Sequence, residues 1–490
     1  MKTFLKTFLM TLLSIILILG ISLGTTYVIK PDLVKTWFGI EDTQTEEPTD
    51  DTEKPDDGNL GDVDIPLPGG DDGEIEVPID PGEDEEPDEE PEIKVLDFTF
   101  SDGVLTGYTG SETEIVIPSS YSIDSEGNFI EGDDYTVTEI GDYVFNENKT
   151  IEKVVFPSTI TSIGYFAFNN CENLQEVDFS QAQSLELIDY NAFSSNINLG
   201  AVNLPDSVTT INEYAFRDCQ NVTSLTLPSS LIYIGDGAFE GFHYISNLDL
   251  PSDLQFIGDN AFQSIGWFAD SSMSITLPAS LNHLGNGVFS NGNIYAINVD
   301  ESNSTYASVD GVVFSKDLTT LLVYPKGKLN SYVIPETVTA IGDYAFYSCD
   351  LTQITIPETV TSIGDYAFGG NGFENILIPS SVTSIGSNAF VNCISLKNIT
   401  IPSNVTYIGE TIFMYCSQLE TITFESLTPS GELGENYTSA LVAIYVPAEA
   451  VESYKTAEGW SQYADIIEAI TEVSIGDEEI PGDDDIVEIG

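Results

Sequence analysis

Positive charge is what this chain has least of. Lys and Arg number 14 against 80 Asp and Glu, and Arg217 is the single arginine. The formal net charge of −66 argues against nucleic acid as a partner, because phosphate binding needs Lys and Arg to displace counterions. It argues equally against docking on anionic lipid through a basic patch. Histidine is scarcer still. His243 and His283 lie forty residues apart with no acidic or nucleophilic pattern around them, so they read as surface or packing residues. A hydrolase would need nucleophile, base and orienting group to converge, and no such set is present. The cysteines (Cys171, Cys219, Cys349, Cys393, Cys416) are five, an odd number, and none forms a CxxC pair. That leaves neither a disulfide framework nor a zinc site to expect, and no cofactor or metal is implied.

Long apolar runs are also rare, with one exception. "TFLMTLLSIILILGISLGTTYVI" (7–29) is uncharged over 23 residues, enough to span a bilayer as a helix at about 1.5 Å per residue. It reads as a transmembrane anchor or as a signal peptide cut near Ser22-Leu23-Gly24. Lys2 and Lys6 place residues 1–6 inside as a cytoplasmic stub. Residues 30–94 then form a linker whose span from Glu41 to Glu92 is dense in Asp, Glu, Pro and Gly, with Lys54 its only base. Such composition cannot bury enough apolar surface to offset its ordering entropy, so the linker is expected to be a disordered, extended stalk.

Beyond it, one motif recurs. Ile140–Phe145 reads IGDYVF, and ten further copies follow: IGYFAF (163–168), IDYNAF (188–193), INEYAF (211–216), IGDGAF (234–239), IGDNAF (257–262), LGNGVF (284–289), IGDYAF (341–346 and 363–368), IGSNAF (385–390) and IGETIF (408–413). Steps run from 22 to 27 residues, most often 23, except for 57 residues between Leu284 and Ile341. A repeat at this period means a solenoid. Each unit also carries an alternating run such as LKNITIP (396–402) or LTQITIP (351–357), whose period of two predicts a half-buried strand ended by proline. Stacked strands would bring the phenylalanines into one internal column. All five cysteines sit three residues after that Phe, a shared phase that marks core packing. Within the long interval, GVVFS and TTLLVYP flank the turn signal KDLT, which predicts a β-hairpin insert at 298–328.

The unit L-x-x-I-x-I-P-x-x-V-T-x-I-G-x-x-A-F-x-x-C closely resembles the BspA-like class of leucine-rich repeats. The resemblance implies a mainly β solenoid, a leucine-rich repeat array of about eleven to twelve coils with a parallel sheet. It divides the chain into an N-terminal cap (95–139), a repeat solenoid (140–427), a C-terminal cap (428–471) covered by Tyr454, Trp460 and Tyr463, and an acidic tail (472–490). It also implies a non-enzymatic surface protein that binds an extracellular protein or glycan, often in adhesion to another cell or to matrix. The expected location is the cell surface, anchored by the N-terminal helix, or the exterior after signal cleavage. A structural, self-associating envelope component is the alternative.

No binding motif is shared across that family, so candidate site residues come from strand geometry alone. The middle residue of each strand run should point away from the core: Asp178, Asn203, Thr226, Asp249, Thr276, Asn298, Thr355, Thr400 and Thr423. This row is either a hydrogen-bonding binding face or a solvated Thr/Asn ladder that suits β geometry. Tyr344 and Tyr366 are either partner anchors or packing between coils.

Overall fold

The computed structural model describes residues 96–431 and 440–471. The cytoplasmic stub, the anchor, the whole linker, residues 432–439 of the C-terminal cap and the acidic tail lie outside the described residues. Among the described residues, no helix is long and apolar enough to cross a membrane.

These residues wind into a parallel β-solenoid of about 14 turns. That exceeds the eleven to twelve expected from the Ile-Gly motif, because segments without the motif also form turns in register. Ile115 of Glu114–Val116 pairs with Val154, while Ile422 pairs with Ile444 of Ala443–Val446 and Ile444 with Ile467 of Ile467–Ala469.

Most turns offer two strands, although the run at 245–251 forms none. The first comes from the LxxIxIP run and builds the first face in short parallel ladders; the longest holds five strands, from Asn375–Ile376 to Ile467–Ala469. The second is only two residues long and ends in the Ile of Ile-Gly. Its copies pair in register, Ile140 with Ile163, Ile163 with Ile188, Ile188 with Ile211 and so on to Ile257 with Leu284. Every Ile of this series is fully buried while the residue before it faces outward, which is the period-two rule at its shortest.

The turn after the second strand explains the rest of the motif. A Cβ on Gly235 would lie 2.5 Å from the Glu213 nitrogen of the preceding coil, so glycine permits the close stacking. The aspartate after it caps the next coil. Asp236 Oδ1 accepts the Asp259 N–H at 2.8 Å, and Asp343 Oδ1 accepts the Asp365 N–H at 2.8 Å. The next residue, fourth in the motif, is left-handed in coil after coil: Tyr143, Tyr214, Gly237, Asn260, Tyr344, Tyr366 and Asn388 have φ between 56° and 58°.

Inside, Phe145, Phe168, Phe193, Phe216, Phe239, Phe262 and Phe289 stack with centroids 4.6 to 5.9 Å apart and nearly parallel rings. The column is not single, as the sequence suggested. Tyr324, Phe346, Phe368, Phe390 and Phe413 form a second one. The core divides accordingly into a cluster from Phe98 to Val313 and another from Val312 to Ile467. Between the columns sits an antiparallel meander of Tyr306–Val309, Val312–Ser315 and Thr320–Val323, whose last strand returns to the parallel sheet beside Ala340–Ile341. That stretch lacks an IGxxAF turn, so only Tyr324 reaches the ring position there.

At the C-terminal end, Tyr454 and Trp460 are buried. The Trp460 ring stands edge-on to Phe424 at 4.9 Å, closing the last turns. The five cysteines are buried and free.

Candidate binding face

The predicted row lies along the first face. Asn203, Thr226, Asp249, Thr276, Asn298, Thr355 and Thr400 are exposed, and Asp178 and Thr423 are half-buried. Register brings neighbours together in pairs: Asn203 with Thr226, Thr276 with Asn298, and Thr400 with Thr423. It also places apolar residues in the same row. Val155 stands opposite Asp178, Val333 opposite Thr355, and Tyr445 opposite Thr423. Val116 and Val333 are 63% and 65% exposed. The row is therefore polar in patches, not along its length. Asp249 falls outside any ladder, and its carboxylate accepts the Asn247 Nδ2 at 2.7 Å.

Some of the polar groups satisfy one another. Thr226 Oγ1 donates to Asn203 Oδ1 at 3.1 Å, and Asn298 Nδ2 to Ser274 Oγ at 3.1 Å. Such cross-strand bonds support the sheet itself. The patch around Asp178 differs. Here the coil from Ile163 to Ile188 is 25 residues long, and the run ends in Phe179-Ser180 where most coils have proline. The extra residues fold back in a turn, with Ala182 N–H donating to the Phe179 carbonyl at 2.9 Å and Gln183 Nε2 to the Ser180 carbonyl at 3.2 Å. A groove of about 560 Å³ opens beside it, lined by Gln175, Glu176, Asp178, Ser180 and Gln183 of one coil and by Asn203, Leu204 and Pro205 of the next. Two of the predicted residues, Asp178 and Asn203, are thus brought into one concavity. Thr226 borders it through its bond to Asn203, and the other predicted residues lie on other coils. The groove residues Gln175, Ser180 and Gln183 escaped the sequence reading, although the 25-residue step and the missing proline were its visible signals.

The groove is electronegative. Hydrogen bonds from the Ser180 side chain and backbone hold the Asp178 carboxyl below its ordinary value, with the Lys153 charge helping against partial desolvation. Lys153 itself is tied to Glu176 at 3.1 Å and Glu114 at 3.8 Å. Groove and row offer hydrogen-bond acceptors, an amide and a fixed negative charge over an apolar floor. They hold no nucleophile–base pair. His243 and His283 sit apart in separate aromatic contacts, His283 stacked on Phe256 at 4.1 Å and His243 edge-on to Phe268 at 5.3 Å. Among the described residues, no group of three or more His, Cys, Asp or Glu could hold a metal ion. Tyr344 and Tyr366 pack between coils, ring on ring at 4.7 Å and half-buried, and burial pushes the Tyr344 hydroxyl up to about 12.

This architecture has solved relatives. The chain is 28% identical to a leucine-rich cell surface protein of Faecalibacterium prausnitzii A2-165, over 76% of this chain and 91% of that one, with a TM-score of 0.58. It shares its fold with the pneumococcal vaccine antigen PcpA, at 23% identity, 78% and 92% coverage and a TM-score of 0.54. Nothing among curated protein sequences matches it. The comparisons indicate no catalytic family. The model of the BspA type leucine rich repeat region (6 copies) matches residues 138–265, 186–317 and 323–433, more than half of the chain. On its repeats and its fold alike, the chain belongs to the BspA-type leucine-rich repeat family.

Proposed function

We propose that this chain is a non-enzymatic cell-surface binding protein. It displays its solenoid on the acidic stalk (30–94) and adheres through the first face to an extracellular protein, a glycan or another cell. The groove at Asp178 and Asn203 carries this reading, since it is a concavity of about 560 Å³ on the outward row and holds an ionised carboxylate. The Faecalibacterium relative, described as a cell surface protein, supports the location. The run at 7–29 is the proposed membrane anchor, and signal cleavage followed by secretion is the other outcome.

The test is protease shaving of intact cells, followed by an adhesion assay comparing the full chain with Asp178→Ala/Asn203→Ala. Release of the repeats by shaving and reduced adhesion of the double variant are expected. Repeats protected inside the cell, or adhesion unchanged by the double variant, would refute the reading.

A second reading, a self-associating envelope component, is favoured by the exposed Val116 and Val333 and by the internally satisfied Thr226–Asn203 pair. Sedimentation showing self-association without heterologous binding would select it.

A further inference from the structure

The repeat also lengthens just before the meander. The step from Ile257 to Leu284 takes 27 residues, and the added chain passes through Gly266-Trp267-Phe268-Ala269-Asp270 ahead of the strand Met273–Leu277. Insertions within single repeats project from one face of a solenoid, often the binding face, without disturbing the spine. This one is firmly placed. The N–H groups of Gly266 and Phe268 donate to the carbonyls of Phe242 and His243, both at 2.8 Å, and Asn293 Nδ2 donates to the Ala269 carbonyl at 3.2 Å.

What the loop presents is apolar and aromatic. Trp267 is 43% exposed and Phe268 47%, and beside them Tyr244 on the preceding coil is 43% exposed. Three large aromatics held together in water are uncommon on a protein that meets nothing, and Trp and Tyr are the residue types that anchor interfaces.

The ring geometry narrows the occupant. Trp267 and Phe268 lie on one another, centroids 5.4 Å apart at 12°. His243 stands edge-on to both, at 5.7 and 5.3 Å. The Lys326 ammonium sits 6.0 Å over the Trp267 ring. A pyranose needs an open ring face to stack on, and Phe268 and the Lys326 ammonium already pack against the Trp267 ring. The cluster offers edges instead, as an apolar knob that a protein surface encloses.

Charge narrows it further. Asp270 is exposed within the loop, and Asp218 is close enough for its charge to act on His243. Of the nearby cations, Lys326 is paired with Asp350 at 3.4 Å, and Arg217 is shared between Glu240 at 3.0 Å and Asp218 at 3.5 Å, so acidic groups outnumber basic ones at this rim. A second copy of a chain carrying −66 would bring like charge to this rim.

We propose that the Trp267–Phe268–Tyr244 knob anchors a protein partner through a segment in which apolar side chains alternate with lysine or arginine. The apolar groups bury the aromatic edges, and the cations meet Asp270, Asp218 and the ring system. This rests on the chain being a binding protein, but its variants lie off the Asp178 groove, so the two readings fail separately.

The test is selection of a random 12-residue peptide library, displayed on phage, against the immobilised full chain. Peptides pairing apolar residues with Lys or Arg are expected. Their affinity should fall at least tenfold on Trp267→Ala and on Phe268→Ser and several-fold on Asp270→Asn, weaken with salt, and stay unchanged on Asp178→Asn. The three loop side chains are exposed, and unchanged melting temperatures of the variants check that the fold is kept. Any of four results would overturn the proposal: no enrichment, neutral or acidic peptides, enriched peptides indifferent to both aromatic variants, or a glycan array signal or self-association abolished by Trp267→Ala.

Discussion

The thiol of Cys219 donates to the carbonyl of Phe193, one coil earlier, at 3.2 Å. Cys171, Cys393 and Cys416 make the same bond to Phe145, Phe368 and Phe390, and Cys349 makes it to Tyr324. Sulfur is not essential to the bond, for Asn196 and Asn371 occupy the position in other coils and donate to Phe168 and Phe346, whereas Phe242 and Ile265 fill it with buried apolar side chains. Asn371 Oδ1 also accepts the Leu351 N–H at 2.9 Å, whereas Asn196 Oδ1 is buried and nothing among the described residues donates to it. Replacing Asn196 with cysteine keeps a donor for the Phe168 carbonyl and removes the orphan acceptor, at the loss of the second Nδ2 bond, to the Phe193 carbonyl at 2.7 Å, so Asn196→Cys should stabilise the fold by at most roughly 1 kcal/mol. Cys219→Ala should cost about 1–2 kcal/mol, through the lost bond and the cavity. Urea unfolding checks both, and a destabilised Asn196→Cys would refute the account. Burial pushes the Cys219 thiol up to about 12, so thiol reagents at neutral pH should label it only after unfolding.

The two phenylalanine columns predict two responses to truncation. Phe193 is stacked on both sides within the first core, and Phe368 on both sides within the second. Each change to alanine should cost about 3–5 kcal/mol. Because neighbour-to-neighbour packing carries the stability of a solenoid, each loss should fall mainly on its own cluster. Calorimetry should resolve two transitions, the first lowered by Phe193→Ala and the second by Phe368→Ala. One transition moved equally by both variants would show that the meander couples the cores fully.

The sequence carried most of this fold because the repeat states its packing eleven times over. Ile, Ala and Phe at fixed offsets are buried wherever they recur, so a periodic pattern was enough. The two-residue second strand was not legible as a ladder, since Ser362-Ile363 is too short to alternate visibly. The number of turns was undercounted because Ala443–Val446 and Ile467–Ala469 pair in register without the signature turn. The binding face was half legible. Period two gave its outward residues, but Val333 and Val155 share the row, and register alone reveals that. The Asp178 groove and the Trp267 loop both arise where a coil is longer than its neighbours. Their shape depends on how the extra residues fold back, which the spacing does not state.

Asp178 gives a pH dependence with a definite sign. Its folded-state pKa is lowered, chiefly by the Ser180 hydrogen bonds, so the ionised form is bound more tightly in the folded chain than in the unfolded one. The stabilisation is present above the ordinary aspartate range and disappears as pH falls through the lowered folded-state value. Asp178→Asn should therefore melt below the parent chain at pH 6, and the gap should close as the pH is brought below the ordinary carboxylate range. A gap constant with pH would mean that the residue acts through shape, not charge.

The left-handed position after each coil's third residue supplies the last prediction. Asn260 and Asn388 occupy it with φ of 56°, and glycine takes it at Gly237 and Gly287. Thr411 occupies it at φ 53°, where a β-branched side chain crowds its own backbone. Its Oγ1 donates to Asn388 Oδ1 at 2.9 Å, a bond that an asparagine amide at 411 can replace. Asparagine tolerates this conformation far better than threonine does, through local hydrogen bonding of its side chain. Thr411→Asn should accordingly stabilise the second core by about 0.5–1 kcal/mol, and a further asparagine in the column continues the pattern that Asn388 begins. The readout is the upper or lower calorimetric transition that Phe368→Ala identifies as belonging to that core. If Thr411→Asn lowers that transition, the threonine is held there by a contact worth more than the backbone strain, and the left-handed turn does not set residue choice at this position.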